Sequence, residues 1–200
     1  MNAMNSLTNE ELGSTAQRER RRRILQATIE LASEGGFDAV QMRAVSERAD
    51  VALGTLYRYF PSKIHLLVSA LHVKFEQAAL MMEGKEIPGE TPADRVLFVL
   101  NLNTKLMQKD PNLTEALTRA FMFADATVTT EIHAVGMLLT GLLNRAMDPA
   151  NAAEPTEDQV AVARVIGDVW LALLVGWVTG RTSTDEVSHN MSVAIHLLLR

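Results

Sequence analysis

The stretch Met42–Lys63 reads MRAVSERADVALGTLYRYFPSK and holds two short apolar-periodic segments on either side of a tight turn. Met42, Val45 and Ala49 recur at i, i+3 and i+7, one face of a short helix, and Asp50 stands where that helix must stop. Leu53–Phe60 reads as the second short helix, and Ala49-Asp50-Val51 as the turn. Aspartate tolerates a left-handed backbone better than most residues that carry a Cβ. Val45, Ala49, Val51 and Leu56 are the apolar pivots on which such a pair closes. Two helices joined in this way form a helix-turn-helix, whose second helix lies in the major groove of DNA. Gly54-Thr55 lets the backbone and a short hydroxyl approach a duplex. Tyr57, Arg58 and Tyr59 supply phosphate donors and base contacts, and Leu53 stands beside them. Lys63, near the start of the following helix, is placed to reach a phosphate, whereas Phe60 reads as core.

Upstream, apolar residues recur at helical spacing through Ile24, Leu25, Ile29, Leu31 and Ala32, which predicts a helix over about Ala16–Glu34, ended by Gly35-Gly36. Its run Arg20-Arg21-Arg22-Arg23 is either a solvated face or, standing just before the helix-turn-helix, a contact with DNA backbone or minor groove. Arg20 and Arg22 are the candidates. Arg43 either pairs with Glu47 at i+4 or meets a phosphate. Residues 1–13 read as a disordered tail, polar and without the apolar region of a signal peptide.

Downstream, Pro61 opens a helix carrying Ile64, Leu67, Val68, Leu71 and Phe75, predicted to run to Met82. EGKEIPG, residues 83–89, is a loop. Thr91-Pro92 starts a helix that Asp110-Pro111 closes, and further helices are expected over about Leu113–Ala124 and Thr130–Met147. Thr156 with Gln159, and Ser183 with Glu186, are capping boxes for the last two. The helix after Thr156 is apolar nearly all round, through Val160, Val165, Ile166, Val169, Trp170, Leu174 and Trp177, so it is expected to be buried on several sides, one of them another subunit. The sum is an all-α chain of about nine helices. No uncharged apolar stretch reaches 18 residues, the nearest being Val169–Val178, so no membrane partner is expected and a soluble, cytoplasmic protein is.

The 200 residues are 48% hydrophobic and 22% charged, enough to bury a core and unlike a disordered chain. Cysteine is absent, which removes disulfides, thiolate metal sites and a cysteine nucleophile. The net charge of −5 hides an asymmetry: residues 14–65 carry +3, residues 66–200 carry −6 and the first 13 carry −2. A basic N-terminal unit on an acidic body fits a nucleic-acid partner for the former. The five histidines stand at no metal-ligand spacing, and there is no GxSxG, HExxH or glycine-rich phosphate loop, so neither a metal, a cofactor nor a catalytic residue is expected. Residues 91–180 are rich in Leu, Met and Phe, as suits either ordinary core or a pocket for a bulky apolar ligand. Leu97, Leu100, Met107, Leu117, Phe121, Met137, Leu138, Trp170 and Leu174 are the candidates for its walls.

The run DVALGTLYRYFPSK at 50–63, with Gly35–Phe37 and the first helix, resembles the signature of TetR-type bacterial transcriptional repressors. The likeness covers about residues 18–70, and the nine-helix layout extends it over the chain. Asp50 departs from the usual turn glycine, Leu53 from a polar residue, His65 from an acidic one and Gln41 from a capping Ser or Thr. The resemblance implies a helix-turn-helix domain at 14–66 and a ligand-binding and dimerisation domain at 67–200. It also implies a homodimer on a palindromic DNA operator, released by an apolar effector. Three segments, QRERRRRILQAT, VQMRAVSERADVALGTLYRYFPSKIHLLVSAL and LTEALTRAFMFADA, are similar to the KstR-type regulators of actinobacterial cholesterol catabolism. That narrower likeness implies a steroid coenzyme A thioester as effector. Its phosphates would call for a cation at the pocket mouth, from Arg95, Lys105, Arg119 or Arg164. Fatty acyl or drug-like effectors, a lipid carrier that does not bind DNA, and a DNA-bound scaffold without an effector are the alternatives.

Overall fold

The computed structural model describes residues 9–150 and 154–199, and among these it has nine α-helices, one 3-10 turn and no strand. Helix α1 (Asn9–Ala39) is broken by Gly35 and by Gly36, whose φ of 66° is left-handed. The glycine pair thus ends the regular helix, and one further turn, Phe37–Ala39, follows it. The tail expected over 1–13 lies outside the described residues as far as residue 8, while residues 9–13 belong to α1, which therefore begins before Ala16.

Helices α2 (Met42–Arg48) and α3 (Leu53–Tyr59) enclose the predicted turn. Asp50 has φ 52° and is the one non-glycine residue with positive φ among those described. Val45, Ala49 and Leu56 are buried between the helices, and Val51 is half-buried. Helix α4 (Lys63–Met82) starts two residues later than Pro61 suggested: Ser62 is its cap, accepting the backbone N–H of His65. Its stretch His65–Leu71 is buried throughout, because α4 packs on α1, α6 and α7 at once. The boundary placed between residues 66 and 67 falls inside this helix, so both halves of the chain share it.

Helix α5 (Pro92–Gln108) opens with a Thr91–Asp94 capping box. Asp110-Pro111 ends one helix and also starts the next, since the Asp110 carboxylate accepts the Leu113 N–H and α6 is Pro111–Met122. A 3-10 turn, Ala126–Val128, leads into α7 (Thr129–Met147). Helices α8 (Glu157–Val178) and α9 (Thr184–Leu198) carry the two predicted capping boxes. One hydrophobic core runs from Ile24 in α1 to Ile195 in α9.

Helix α8 is buried on one side within the chain and open on another. Ala163, Ile166, Trp170 and Leu174 are buried, but Val165 is 45% exposed, and on α9 Val193 and Leu197 are 47% and 57% exposed. The segments Ala126–Met147 and Glu157–Val178 are long and apolar enough to cross a membrane, a longer apolar reach than Val169–Val178 alone suggested. Both pack against other helices here, α7 on α4, α5 and α8, and α8 on α6 and α9.

Candidate nucleic-acid interface and internal cavities

Helix α3 presents Leu53, Gly54, Tyr57 and Arg58 outward, positions that share one helical face. Leu53 and Tyr57 are 41% and 47% exposed. Leu56 and Phe60 hold the opposite face in the core. Thr55 and Tyr59 lie half-buried at the flanks, with the Arg58 guanidinium 5.9 Å from the Tyr59 ring centre. A Cβ on Gly54 would meet nothing within 4 Å, so the open space on this face extends to the backbone.

The basic residues around α3 are spoken for to different degrees. Arg22 is bonded to Glu19 at 2.7 Å, which lowers the carboxyl's pKa and raises the guanidinium's. Arg20 is half-buried, and Arg21 of the same run lies 5.4 Å from the Phe60 ring centre. Arg43 pairs with Glu47 at 3.1 Å, with the two side chains 85% and 67% exposed. Such an exposed pair is worth about 0–1 kcal/mol, so a phosphate can displace the glutamate. Arg48 binds Glu34 through both guanidinium N–H groups and ties α2 to α1.

Lys63 is half-buried rather than fully exposed. Its Nζ lies 3.8 Å from the Phe37 ring centre, and the Arg119 guanidinium lies 4.4 Å from the same ring. Burial lowers the Lys63 pKa, Asp38 and Glu115 oppose that shift, and Arg119 adds to it. Arg119 in turn approaches Glu115 at 3.5 Å and Asp38 at 3.8 Å. The same face of α6 grips the glycine break in α1. Glu115 Oε2 accepts the Phe37 N–H at 2.9 Å, Asn112 donates to the Ser33 carbonyl at 3.0 Å, and the Ser33 hydroxyl donates to Asp110. A second link joins the two halves at His65, which is buried. Its Nδ1 is 3.0 Å from the Ser62 hydroxyl and its Nε2 is 3.0 Å from the Thr127 carbonyl oxygen.

Other residues of α6 line two cavities in the body. The first, about 130 Å³, lies between α4, α6, α7 and α8. Its apolar walls include Phe75, Phe121, Leu139 and Trp170, and Arg164 and Asp168 also line it. Trp170 is fixed there by its indole N–H, which donates to Thr104 Oγ1 at 2.9 Å, and by Phe75, edge-on at 6.0 Å between ring centres. The second, about 230 Å³, lies between α4, α5 and α6 and includes Lys74, Met81, Asn103, Leu106 and Thr114. The two share Leu71, Phe75 and Met107.

Of the residues expected to line a pocket, Met107, Phe121, Trp170 and Leu174 border the first cavity, and Met107 and Leu117 the second. Leu97, Leu100, Met137 and Leu138 border neither. Leu100 is core, Leu97 and Leu138 pack half-buried against that core, and Met137 is 60% exposed. The cations sort as clearly. Arg95 is occupied with the carbonyls of Ala146 and Met147 at the end of α7, and Arg119 with Phe37 and its carboxylates. Lys105 is exposed and borders neither cavity, which leaves Arg164 at the first. Lys74 at the second was not foreseen, because it sits within an apolar helix beside Phe75. Val135, Gly136, Leu139 and Thr140 of α7 were also missed: Val135 and Leu139, at i and i+4, read equally well as ordinary core.

Known proteins match this chain over both halves. Residues 24–70 match the bacterial regulatory proteins of the tetR family, and residues 89–198 match the tetracyclin repressor-like C-terminal domain. The HTH-type transcriptional repressor KstR of Rhodococcus jostii is 56% identical over 97% of this chain and 89% of its own length. A crystallised TetR transcriptional regulator from Rhodococcus sp. RHA1 superposes with a TM-score of 0.84 at 32% identity, covering 92% of this chain and 97% of that one. The regulator FadR from Bacillus subtilis, solved in complex with stearoyl-CoA, shares the fold, with a TM-score of 0.65 at 19% identity over 89% of this chain and 97% of that one. The arrangement of an outward-facing α3 on a helical body is thus that of DNA-binding transcriptional regulators rather than of an enzyme, and the chain belongs to the TetR family.

Proposed function

We propose that this protein is a cytoplasmic repressor that binds a palindromic operator as a homodimer and leaves it when an apolar effector enters the body. The observation that carries this reading is the double role of α6. One face grips the glycine break of α1 through Asp110, Asn112 and Glu115, while Leu117, Thr118 and Phe121 line the cavities. A ligand that displaces those walls acts on the seat of the DNA-reading unit through a single rigid element. An effector shifts such an equilibrium only by its differential affinity for the two arrangements.

Leu53, Gly54, Thr55, Tyr57, Arg58 and Tyr59 read the operator, with Arg20, Arg22 and Arg43 on its backbone. Lys63 serves by holding Phe37 rather than by touching DNA. The exposed Val165, Val193 and Leu197 on α8 and α9 give a second copy an apolar face to cover. Two recognition helices in a dimer must lie about 34–36 Å apart, or a multiple of that, to enter successive major grooves.

For the effector we propose a steroid coenzyme A thioester derived from cholesterol. The likeness to KstR repressors supports it, as do an apolar cavity walled by Trp170, Phe121 and Phe75 and the cations Arg164 and Lys74. A fatty acyl thioester is the second reading, supported by the fold shared with a regulator that holds stearoyl-CoA. The test is a titration of operator-bound protein with a cholestenoic acid coenzyme A thioester, stearoyl-CoA and free coenzyme A. Release by the steroid thioester alone is the expected result. Release by stearoyl-CoA alone favours the second reading, and release by neither removes thioesters as effectors.

A further inference from the structure

His65 occupies a position that the DNA-reading face and the cavities do not explain. It is the third residue of α4, and the helix that reads DNA ends only six residues before it, at Tyr59. The Thr127 carbonyl has no hydrogen to give, so Nε2 must carry the imidazole hydrogen and donate it. Nδ1 is then an acceptor for the Ser62 hydroxyl hydrogen, while the Ser62 oxygen accepts the His65 backbone N–H. Both ring nitrogens of this buried group and its backbone N–H thus have partners.

Thr127 lies in the short connection between α6 and α7. Asp125 Oδ1 holds that connection by accepting from the Thr127 N–H at 2.9 Å and from its hydroxyl at 2.6 Å, and Val128 anchors it in the core. The two helices it joins supply Thr118 and Phe121 on one wall of the first cavity and Val135, Leu139 and Thr140 on another. We infer that His65 is a positioning residue that fastens the end of the DNA-reading unit to the link between two cavity walls, and so carries displacement from one to the other. This rests on the operator-binding and effector-sensing reading above. It adds a route separate from the Glu115 contact, which reaches α1 and not α3.

The experiment compares backbone amide hydrogen exchange in the full-length wild type, His65→Phe and His65→Gln, each with and without a duplex that the wild type has selected from a random-sequence pool. In the wild type, duplex binding should slow exchange at the Thr127 and Val128 amides by about fivefold, the equilibrium factor of one hydrogen bond. His65→Phe keeps the ring but lacks the donor, and should lose that slowing while still binding the duplex. His65→Gln can present an N–H to the Thr127 carbonyl and should keep most of it. A general loss of packing would instead raise exchange in α8 and α9 as well. Should His65→Phe fail to melt cooperatively, Ser62→Ala, which leaves the imidazole free to turn, carries the same comparison. Unchanged slowing in His65→Phe overturns the inference alone. A wild type that selects no duplex overturns the operator-binding reading and the inference together.

Discussion

Replacing Thr104 with valine tests how the first cavity keeps its shape. Thr104 and Trp170 are 4% and 2% exposed, and the bond between them is 2.9 Å long. Valine preserves the volume but removes the one acceptor this N–H has among the described residues, leaving a buried indole N–H unpaired. That state costs about 1–3 kcal/mol. At about 2–4 °C per kcal/mol for a chain of this size, the melting temperature should fall by roughly 4–8 °C for a loss in the middle of that range. Trp170→Phe alone leaves the Thr104 hydroxyl without its donor and weakens the edge-on contact with Phe75. The double variant strands neither polar group, so the two single losses should exceed the loss in the double by about 1–2 kcal/mol. Urea unfolding followed by circular dichroism, at one protein concentration for all four proteins, measures this cycle. A Thr104→Val protein within about 0.5 kcal/mol of wild type, the usual range for an inert surface change, would refute the argument that this bond fixes the cavity wall.

Two glycines should respond in opposite ways. Gly36→Ala places a Cβ at φ 66° and ψ −158°, a backbone region open essentially to glycine alone, and 3.0 Å from Glu115 Oε2, so urea unfolding should register a loss of about 2–3 kcal/mol from backbone strain and the weakened Phe37 bond. Gly54→Ala has open space and gains about 0.5–1 kcal/mol of helix propensity, yet operator affinity measured by fluorescence anisotropy should fall as the methyl meets DNA; unchanged affinity refutes the close approach. Arg58→Ala should lower the slope of log affinity against log salt by about one, and an unchanged slope would remove Arg58 from the phosphate contacts. In acid, the hydroxyl and backbone N–H groups of Thr91 hold the Asp94 pKa below its ordinary 3.8, and those of Ser183 hold Glu186 below 4.5. Carboxyls with depressed folded pKa values contribute stability above the ordinary values and lose it as pH falls through the folded ones. The urea midpoint should therefore decline from about pH 4.5 downward, and Asp94→Asn should flatten part of that decline; a midpoint insensitive to pH there refutes the capping argument.

The features legible in the sequence were those whose partners lie within one helical turn. The cap at Thr91 and the boxes at Thr156 and Ser183 stand next to the backbone they cap, and Asp50 announces its left-handed turn by its own chemistry. The outward face of α3 was legible because a seven-residue helix with Leu56 buried has little choice about where Leu53 and Tyr57 point. Contacts between distant segments were not. Lys63 near the start of a helix beside a DNA-reading element reads as a phosphate contact, and nothing in its own neighbourhood foretells that the fold also brings Phe37 and Arg119 to it. His65 looked isolated because its partner at Thr127 is a backbone carbonyl, which any residue type supplies. Leu100, a candidate for the pocket wall, is core instead, because an apolar residue type does not distinguish core from open space. A cavity is set by what several helices jointly fail to fill.

The sharing of α4 between the two halves has a mechanical consequence. Twenty residues at 1.5 Å each make a rod about 30 Å long, with the DNA-reading unit at one end and cavity residues such as Phe75 and Met81 along the rest. A tilt of only about 4° about the far end would carry the near end sideways by roughly 2 Å. In the homodimer proposed above both rods would swing together, so the distance between reading helices would change by about 4 Å against a groove repeat of roughly 34 Å. On the reading proposed above, displacements of side-chain size in the body would thereby be magnified to a misfit that rigid DNA does not absorb without bending.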